Sequence, residues 1–285
     1  MNYRHAYHAG NFADVHKHAV LGRVLAHLRL KPAAFRVIDT HAGAGRYDLS
    51  GPEPARGGEW RQGIARVLGA SGPDEAAILL APYLDVVSAL NPGGTLGAYP
   101  GSPLIVQNLL RPQDRLVACE LEPTAAAALA AALRSDRRAK ALTIDGWTAL
   151  GAYVPPVERR GVVLIDPPFE QPGELSRLAQ GLAGAHRKWP TGCYLLWYPI
   201  KDAAEVTAFV RKLARLGIAK MLRLELSPAT STNDTGLRGS GLIAVNPPWR
   251  LHDELAVLLP ALGGVLSRGA ACRTTLDWLS GESSL

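Results

Sequence analysis

An aspartate, two prolines and an aromatic ring stand together at Asp166-Pro167-Pro168-Phe169, directly after the apolar run Val162 to Ile165. The exocyclic amine of adenine is a poor nucleophile because its lone pair is delocalised into the ring. A carboxylate and a backbone carbonyl aimed at that amine can accept its hydrogens and favour a pyramidal nitrogen whose lone pair faces a methyl donor. Asp166 supplies the first acceptor and the Pro167 carbonyl the second, while the fixed φ of successive prolines keeps the loop stiff. Phe169 is then placed to stack on the base. A Pro-Pro turn ending a core strand is the plain structural reading of the same residues.

Three features elsewhere in the chain favour the chemical reading. Asp39-Thr40-His41-Ala42-Gly43-Ala44-Gly45 ends an earlier apolar run in glycines, which let the backbone turn tightly and approach a ligand at the carboxyl end of a parallel strand. The third glycine of a dinucleotide fingerprint is missing, its place taken by Asp48, which disfavours a nicotinamide enzyme. Glu120 ends the next run, where an acid can hold ribose hydroxyls, and Asp145-Gly146 follows the third. A second near-match, Asn246-Pro247-Pro248-Trp249, also ends an apolar strand. Topology disfavours it, because it belongs to a terminal antiparallel hairpin and so emerges at the opposite edge of the sheet.

The elements that must position these residues read as alternating strands and helices. Apolar runs at Arg36 to Thr40, Leu116 to Glu120, Ala141 to Ile144, Val162 to Ile165, Tyr194 to Tyr198, Met221 to Leu226 and Leu242 to Val245 give seven strands. The unbroken VVLI and YLLW are the pattern of strands buried on both faces of a parallel sheet. Helical stripes separate them: Leu175, Leu178, Ala179, Leu182 and Ala183 in one, and Val206, Phe209, Val210 and Leu213 in another, opened by Asp202 and closed by Gly217. The expectation is an open α/β sheet whose last two strands form an antiparallel hairpin around a polar, mobile loop between Ser227 and Gly241. Because Glu120 comes 75 residues after Gly45, something is inserted. Helical pieces near Gly58 to Leu68 and Asp74 to Leu90 suggest a small helical subdomain over residues 51–98. Residues 1–50 and 99–285 then form the sheet domain, with Ser102 to Leu110 as the crossover helix back to the sheet. Ser102 before Pro103 reads as a helix N-cap.

The net charge of the 285 residues is +6, and residues 1–36 alone carry six Lys or Arg against Asp14. That opening segment also holds His5, His8, His16, His18 and His27, so it is placed to meet something anionic. His18 falls in register with Leu21, Leu25 and Leu28, as a core histidine would. The clustered histidines lack a Cys or acidic partner set, and no metal is expected. No apolar run reaches the roughly 18 to 20 residues of a membrane span, nor is there a signal-peptide core. Cys119, Cys193 and Cys272 are odd in number and far apart, which argues against disulfides and for a reduced, cytoplasmic setting.

Taken together, these motifs resemble a class I S-adenosylmethionine-dependent methyltransferase of the N6-adenine type. More narrowly, Tyr3-Arg4-His5, His8-Ala9-Gly10-Asn11, Asp14, Lys17-His18, Thr40 to Tyr47, Tyr99-Pro100-Gly101-Ser102-Pro103, DPPF and Trp197-Tyr198-Pro199 resemble the RlmJ family of bacterial large-subunit ribosomal RNA adenine-N6 methyltransferases. The family more often has tyrosine where this chain has Phe169, which leaves the stacking ring but not its hydroxyl.

The resemblance implies a Rossmann-like class I methyltransferase fold and transfer of a methyl group from S-adenosylmethionine to an adenine of 23S ribosomal RNA, adenine 2030 in the family. It implies that His18, His41, Gly43, Ser102, Glu120, Asp145 and Gly146 line the cofactor pocket. Asp166, Pro167 and Phe169 would act at the base, and Tyr3, Arg4 and Lys17 would touch RNA. A monomer without metal or membrane is expected. Residues Phe12 to Leu30 are expected as an amphipathic helix with His18 on its cofactor side, and Tyr3 to Asn11 as a flexible part that folds over RNA. The rivals are a DNA adenine-N6 methyltransferase, a protein-amide methyltransferase, which would have asparagine at Asp166, and a non-catalytic RNA-binding protein.

Overall fold

The computed structural model describes residues 5–70, 74–228, 236–268 and 272–281; Tyr3 and Arg4 lie outside them. In chain order the strands are β1 (Arg36–Asp39), β2 (Arg46–Asp48), β3 (Ala98–Pro100), β4 (Arg115–Glu120), β5 (Ala139–Thr143), β6 (Gly161–Ile165), β7 (Cys193–Ile200), β8 (Met221–Ser227), β9 (Gly239–Val245) and β10 (Arg273–Ser280). The helices are α1 (Phe12–Arg29), α2 (Pro52–Gly57), α3 (Ile64–Leu68), α4 (Asp74–Leu90), α5 (Ser102–Leu109), α6 (Pro123–Leu133), α7 (Gly146–Tyr153), α8 (Glu174–Lys188), α9 (Ala203–Ala214) and α10 (Leu251–Leu266).

The main sheet runs β10-β8-β9-β7-β6-β1-β4-β5. From β7 to β5 every pairing is parallel, whereas β9 is antiparallel to both β7 and β8. All five residues of β6 are buried, as an unbroken apolar run between two helical layers requires. The Rossmann-like architecture and terminal hairpin match the sequence reading, and the described sheet has one strand more than the seven apolar runs. That strand, β10, lies antiparallel on β8 at the edge. Its residues are mostly half-buried, so it has no continuous apolar run to betray it.

The short ribbon of β2 and β3 pairs Arg46 with Pro100 and Asp48 with Ala98, closing the neck of the stretch between them. Out of that neck come α2, α3 and α4. Tyr83, Val86 and Val87 of α4 join the same apolar cluster as Val20, Leu21 and Val24 of α1 and Leu255, Leu258 and Leu262 of α10.

Helix α1 differs from the amphipathic expectation. Fourteen of its 18 residues are buried, because it is walled in by β9, α4, α5 and α10 at once. Its N-cap is Asn11, whose side chain accepts from the amides of Ala13 and Asp14. The segment before it is not a flexible arm over residues 5–11. His5–Tyr7 form a 3-10 turn, Ala9, Gly10 and Asn11 are buried, and Asn11 and His8 both bond Glu59, between β2 and β3, at 2.9 and 3.0 Å. Gly10 has φ +75, and an added Cβ would lie 2.9 Å from Ile64, so the chain turns there because glycine alone fits.

Candidate active site

β1 lies between β4 and β6, with Asp39 level with Ala118 and Leu164, so the carboxyl ends of these strands emerge side by side. The glycine loop turns back at Gly43 (φ +62) and Gly45 (φ +76). The amide of Gly43 donates to Glu120 Oε2 at 2.9 Å, and the amides of Leu121 and Glu122 donate to Oε1, each at 2.8 Å. Three backbone bonds thus fix the Glu120 carboxylate at the tip of β4, with lone pairs to spare for hydroxyl donors. Asp145 caps α7, taking the Thr148 amide and hydroxyl on Oδ2 at 2.9 and 3.0 Å. Gly146 begins that helix pressed against the Thr40 carbonyl and the His41 ring, where any Cβ would collide. His41 Nδ1 lies 2.8 Å from the Thr40 hydroxyl, the ring meets Trp147 edge-on, and burial pushes its pKa down to about 4. It is therefore a neutral ring.

Helix α1 delivers a second set from the other side. Lys17 Nζ bonds Asp14 Oδ1 at 3.0 Å and Asp166 Oδ2 at 2.5 Å with its side chain only 6% exposed. Asp14 also takes His5 Nε2 at 3.0 Å and the Gly10 amide at 2.9 Å. Burial opposes ionisation of both groups, yet His5 and Lys17 hold Asp14 well below the usual carboxylate range, and Asp14 and Asp166 hold Lys17 well above the usual ammonium range. One turn along from Asp14, His18 bonds the Tyr99 hydroxyl through Nδ1 at 2.7 Å, and Tyr99 in turn bonds Tyr83 at 2.8 Å. Burial brings His18 down to about 3, so its ring is neutral too.

Ser102 is not the cap of α5; Gly101 occupies that position. The Ser102 hydroxyl donates instead to Asp39 Oδ2 at 2.7 Å. Complete burial lifts Asp39 to about 7 against the pull of that hydrogen bond.

At the tip of β6, Phe169 sits at φ +52 with its ring edge-on to Trp197, centroids 5.6 Å apart. The Trp197 indole donates to Ser240 Oγ at 2.9 Å, and the same oxygen meets His16 Nδ1 at 3.0 Å. A strand-to-strand chain from α1 through β9 and β7 thus sets the aromatic wall beside DPPF. The asparagine of the second motif is spent otherwise. Val245 at the end of β9 is level with Tyr194 near the start of β7, so Asn246 emerges at the far edge, where its amide donates to the carbonyls of Pro190 and Gly192.

Asp166, Glu120, Asp145, Gly146, His41, Gly43 and Ser102 are therefore gathered around the four adjacent strand tips of β6, β1, β4 and β5, with His18 on α1. Lys17, expected to reach RNA phosphates, is instead an interior cation holding Asp166. Asp14, Asp39, Tyr99, Trp197, Ser240 and His16 were not assigned to the site from sequence. Asp14, Asp39, Tyr99 and Trp197 stand in the quoted motifs without a role there, Asp14 also lying three residues before Lys17 on one helix face, whereas Ser240 carried no signal.

Residues 32–280 match the family described as ribosomal RNA large subunit methyltransferase D, RlmJ. The chain is 39% identical over 282 residues to ribosomal RNA large subunit methyltransferase J of Escherichia coli, covering 99% of this chain and all of that protein. The chain belongs to the RlmJ family. The Haemophilus influenzae protein of the same name is 36% identical, with 99% of this chain and its own whole length covered. A crystal structure of a Legionella pneumophila protein superposes with a TM-score of 0.87 at 34% identity, covering 97% of this chain and 99% of that one. Membership of the RlmJ family makes this chain a methyltransferase. Among its described residues no helix is long and apolar enough to cross a membrane, and no group of His, Cys, Asp or Glu is clustered to hold a metal ion.

Proposed function

We propose that this RlmJ-family enzyme transfers a methyl group from S-adenosylmethionine to N6 of an adenine in 23S ribosomal RNA at the DPPF loop. The observation that carries the reading is Asp166 at the tip of β6, its Oδ2 pinned by Lys17, beside Phe169 and one strand away from the glycine loop.

S-adenosylmethionine fits the groups around the tips. His18 Nε2 and Asp39 Oδ1 are buried polar atoms with no hydrogen-bond partner among the described residues, as expected of a wall built for a polar ligand. Gly146 lets the start of α7 lie directly against the Thr40 carbonyl and the His41 ring, where a side chain would collide, so the glycine loop and α7 approach closely. Glu120 has acceptor capacity for a ribose diol, and Asp145 Oδ1 for an adenine amine. The cofactor supplies an electrophilic methyl on a sulfonium sulfur.

The rest is the work of this chain's residues. Asp166 and the Pro167 carbonyl accept the hydrogens of the target amine, and Phe169, backed by Trp197, holds the base by its face. Nitrogen gains the methyl carbon and sheds one proton, with Asp166 the acceptor beside it. An orienting acceptor suffices, because the nitrogen becomes acidic only as the new bond forms. The unit that does this comprises residues 1–50 and 99–285, with 51–98 as an insert whose neck is the β2–β3 ribbon. It acts as a monomer in the cytoplasm, where the rRNA is.

The test is Asp166→Ala. Methyl transfer to protein-free 23S rRNA, mapped to its adenine by mass spectrometry, should be lost while S-adenosylmethionine still raises Tm. Wild-type transfer by Asp166→Ala would overturn the assignment, and transfer to duplex DNA in preference to rRNA would overturn the substrate.

A further inference from the structure

The Asn246-Pro247-Pro248-Trp249 motif takes no part in the site above, yet it is built stiffly. Asn246 is held at φ +48 by its two amide bonds to the Pro190 and Gly192 carbonyls, and its backbone amide donates to Lys220 at 3.0 Å. A non-glycine residue in the left-handed region is uncommon and marks a conformation that its surroundings enforce. The two prolines that follow fix the chain further. What this loop presents is Trp249, 83% exposed, with the Arg250 guanidinium 5.5 Å over its ring. A second pair lies close in the fold. Trp278, 46% exposed near the end of β10, stacks on His252 at the start of α10 with centroids 5.9 Å apart and planes 16° from parallel.

These residues share one pole of the sheet. Val245 is level with Met221, and Ser280 is level with Met221 as well, so the ends of β9 and β10 meet the start of β8. The same pole receives the last turns of α8 and α9. Arg187, Arg211, Arg215, Lys220 and Arg250 are exposed there, against the exposed carboxylate of Asp253. The DPPF loop is at the other end of the strands.

Single exposed apolar residues are ordinary, but a rigidly held indole paired with a guanidinium, a second ring pair and a surplus of cations form a specific combination. Base stacking on aromatic rings, reinforced by Arg and set in positive potential, is how proteins hold unpaired nucleotides without reading sequence. A protein partner would also find a tryptophan useful, but the charge here selects a polyanion.

We propose that this pole is a second RNA-binding site: a stacking platform for unpaired bases of the same ribosomal RNA whose target adenine enters the DPPF pocket at the opposite pole. It rests on the rRNA reading given above. Trp249→Ala is the discriminating variant, since so exposed a ring contributes little to folding. On protein-free 23S rRNA its KM should rise about tenfold, with kcat unchanged. On a short hairpin around the mapped adenine, too small to reach the far pole, both constants should match wild type. Trp249→Phe should recover most of the affinity, and ultraviolet crosslinking of wild-type protein to 23S rRNA should label the peptide over residues 246–250. An unchanged KM on 23S rRNA, or an equal rise on the hairpin, would overturn the platform. If the wild-type protein methylates neither RNA, the rRNA reading fails by itself. Crosslinking and Kd measured with a mixed-sequence single-stranded RNA then still decide the platform: an unlabelled 246–250 peptide and equal Kd for wild type and Trp249→Ala would rule it out.

Discussion

Lys17 on α1 donates to Asp166 at the tip of β6, an ion pair joining residues 149 apart in sequence. It ties the first helix to the DPPF loop and occupies one oxygen of the Asp166 carboxylate, leaving Oδ1 for the amine in the proposed reaction. Asp14 supports the lysine from behind, so an acid-cation-acid row runs from the N-terminal turn into the site.

Lys17→Met should therefore affect both folding and chemistry. It leaves two largely buried carboxylates without their shared cation, a loss of about 3–5 kcal/mol where a buried pair loses one partner. His5 still bonds Asp14, which places the expected loss at the lower end of that range. Methyl transfer should fall by at least about a hundredfold through misplacement of Asp166. Urea denaturation and single-turnover kinetics measure the two effects; a wild-type rate would show that Asp166 is oriented without the lysine.

Asp39 predicts a pH dependence. Its pKa of about 7 in the fold lies above its ordinary 3.8, so the folded chain keeps a proton that the unfolded chain releases. That contribution to stability is complete below about pH 4 and is lost as pH rises to about 7, at up to about 1.4 kcal/mol per pH unit. Asp39→Asn removes it, so the variant should gain on the wild type as pH rises from 4.5 to 7. His16 and His18, each brought down to about 3 by burial, have the opposite dependence, losing stability below about pH 6.5. They are common to both proteins and cancel in the difference. Urea midpoints at the two pH values test this, and a constant difference would mean that Asp39 is already ionised in the fold.

Gly146→Ala should disturb the close contact between α7 and the glycine loop. The new methyl must push aside the Thr40 carbonyl or the His41 ring, at about 1–3 kcal/mol. Calorimetry should show S-adenosylmethionine binding at least about tenfold weaker. Unaltered Kd and Tm would mean that neither group lines the ligand site.

Ser240→Ala should reach the base without touching it. The hydroxyl joins His16 to Trp197, and its removal leaves two buried ring nitrogens unpaired, costing about 1–3 kcal/mol. Because Trp197 backs Phe169, KM for RNA should rise while kcat holds. A loss confined to kcat would point to the amine acceptors instead.

Much of this was legible in one dimension. The buried strand VVLI announced β6, Asp202 announced the start of α9, and the 75-residue gap between Gly45 and Glu120 announced the further helices α2 to α4. The order of glycine loop, Glu120, Asp145 and DPPF was enough to bring these residues to one edge, because a parallel sheet collects every strand's carboxyl end there. β10 escaped because a half-buried edge strand lacks the apolar run that marks a central one.

The sequence by itself determined which residues could do the chemistry and at which strand tips they stand, since local patterning dictates strands, helices and turns. Only the tertiary structure decided what holds them. That Lys17 faces Asp166 rather than RNA, that Ser102 bonds Asp39 rather than capping α5, and that residues 5–11 are packed rather than loose all depend on contacts between distant segments. Burial then settles each partner, because a charged or polar group removed from water must find a counterpart wherever in the chain the fold brings one.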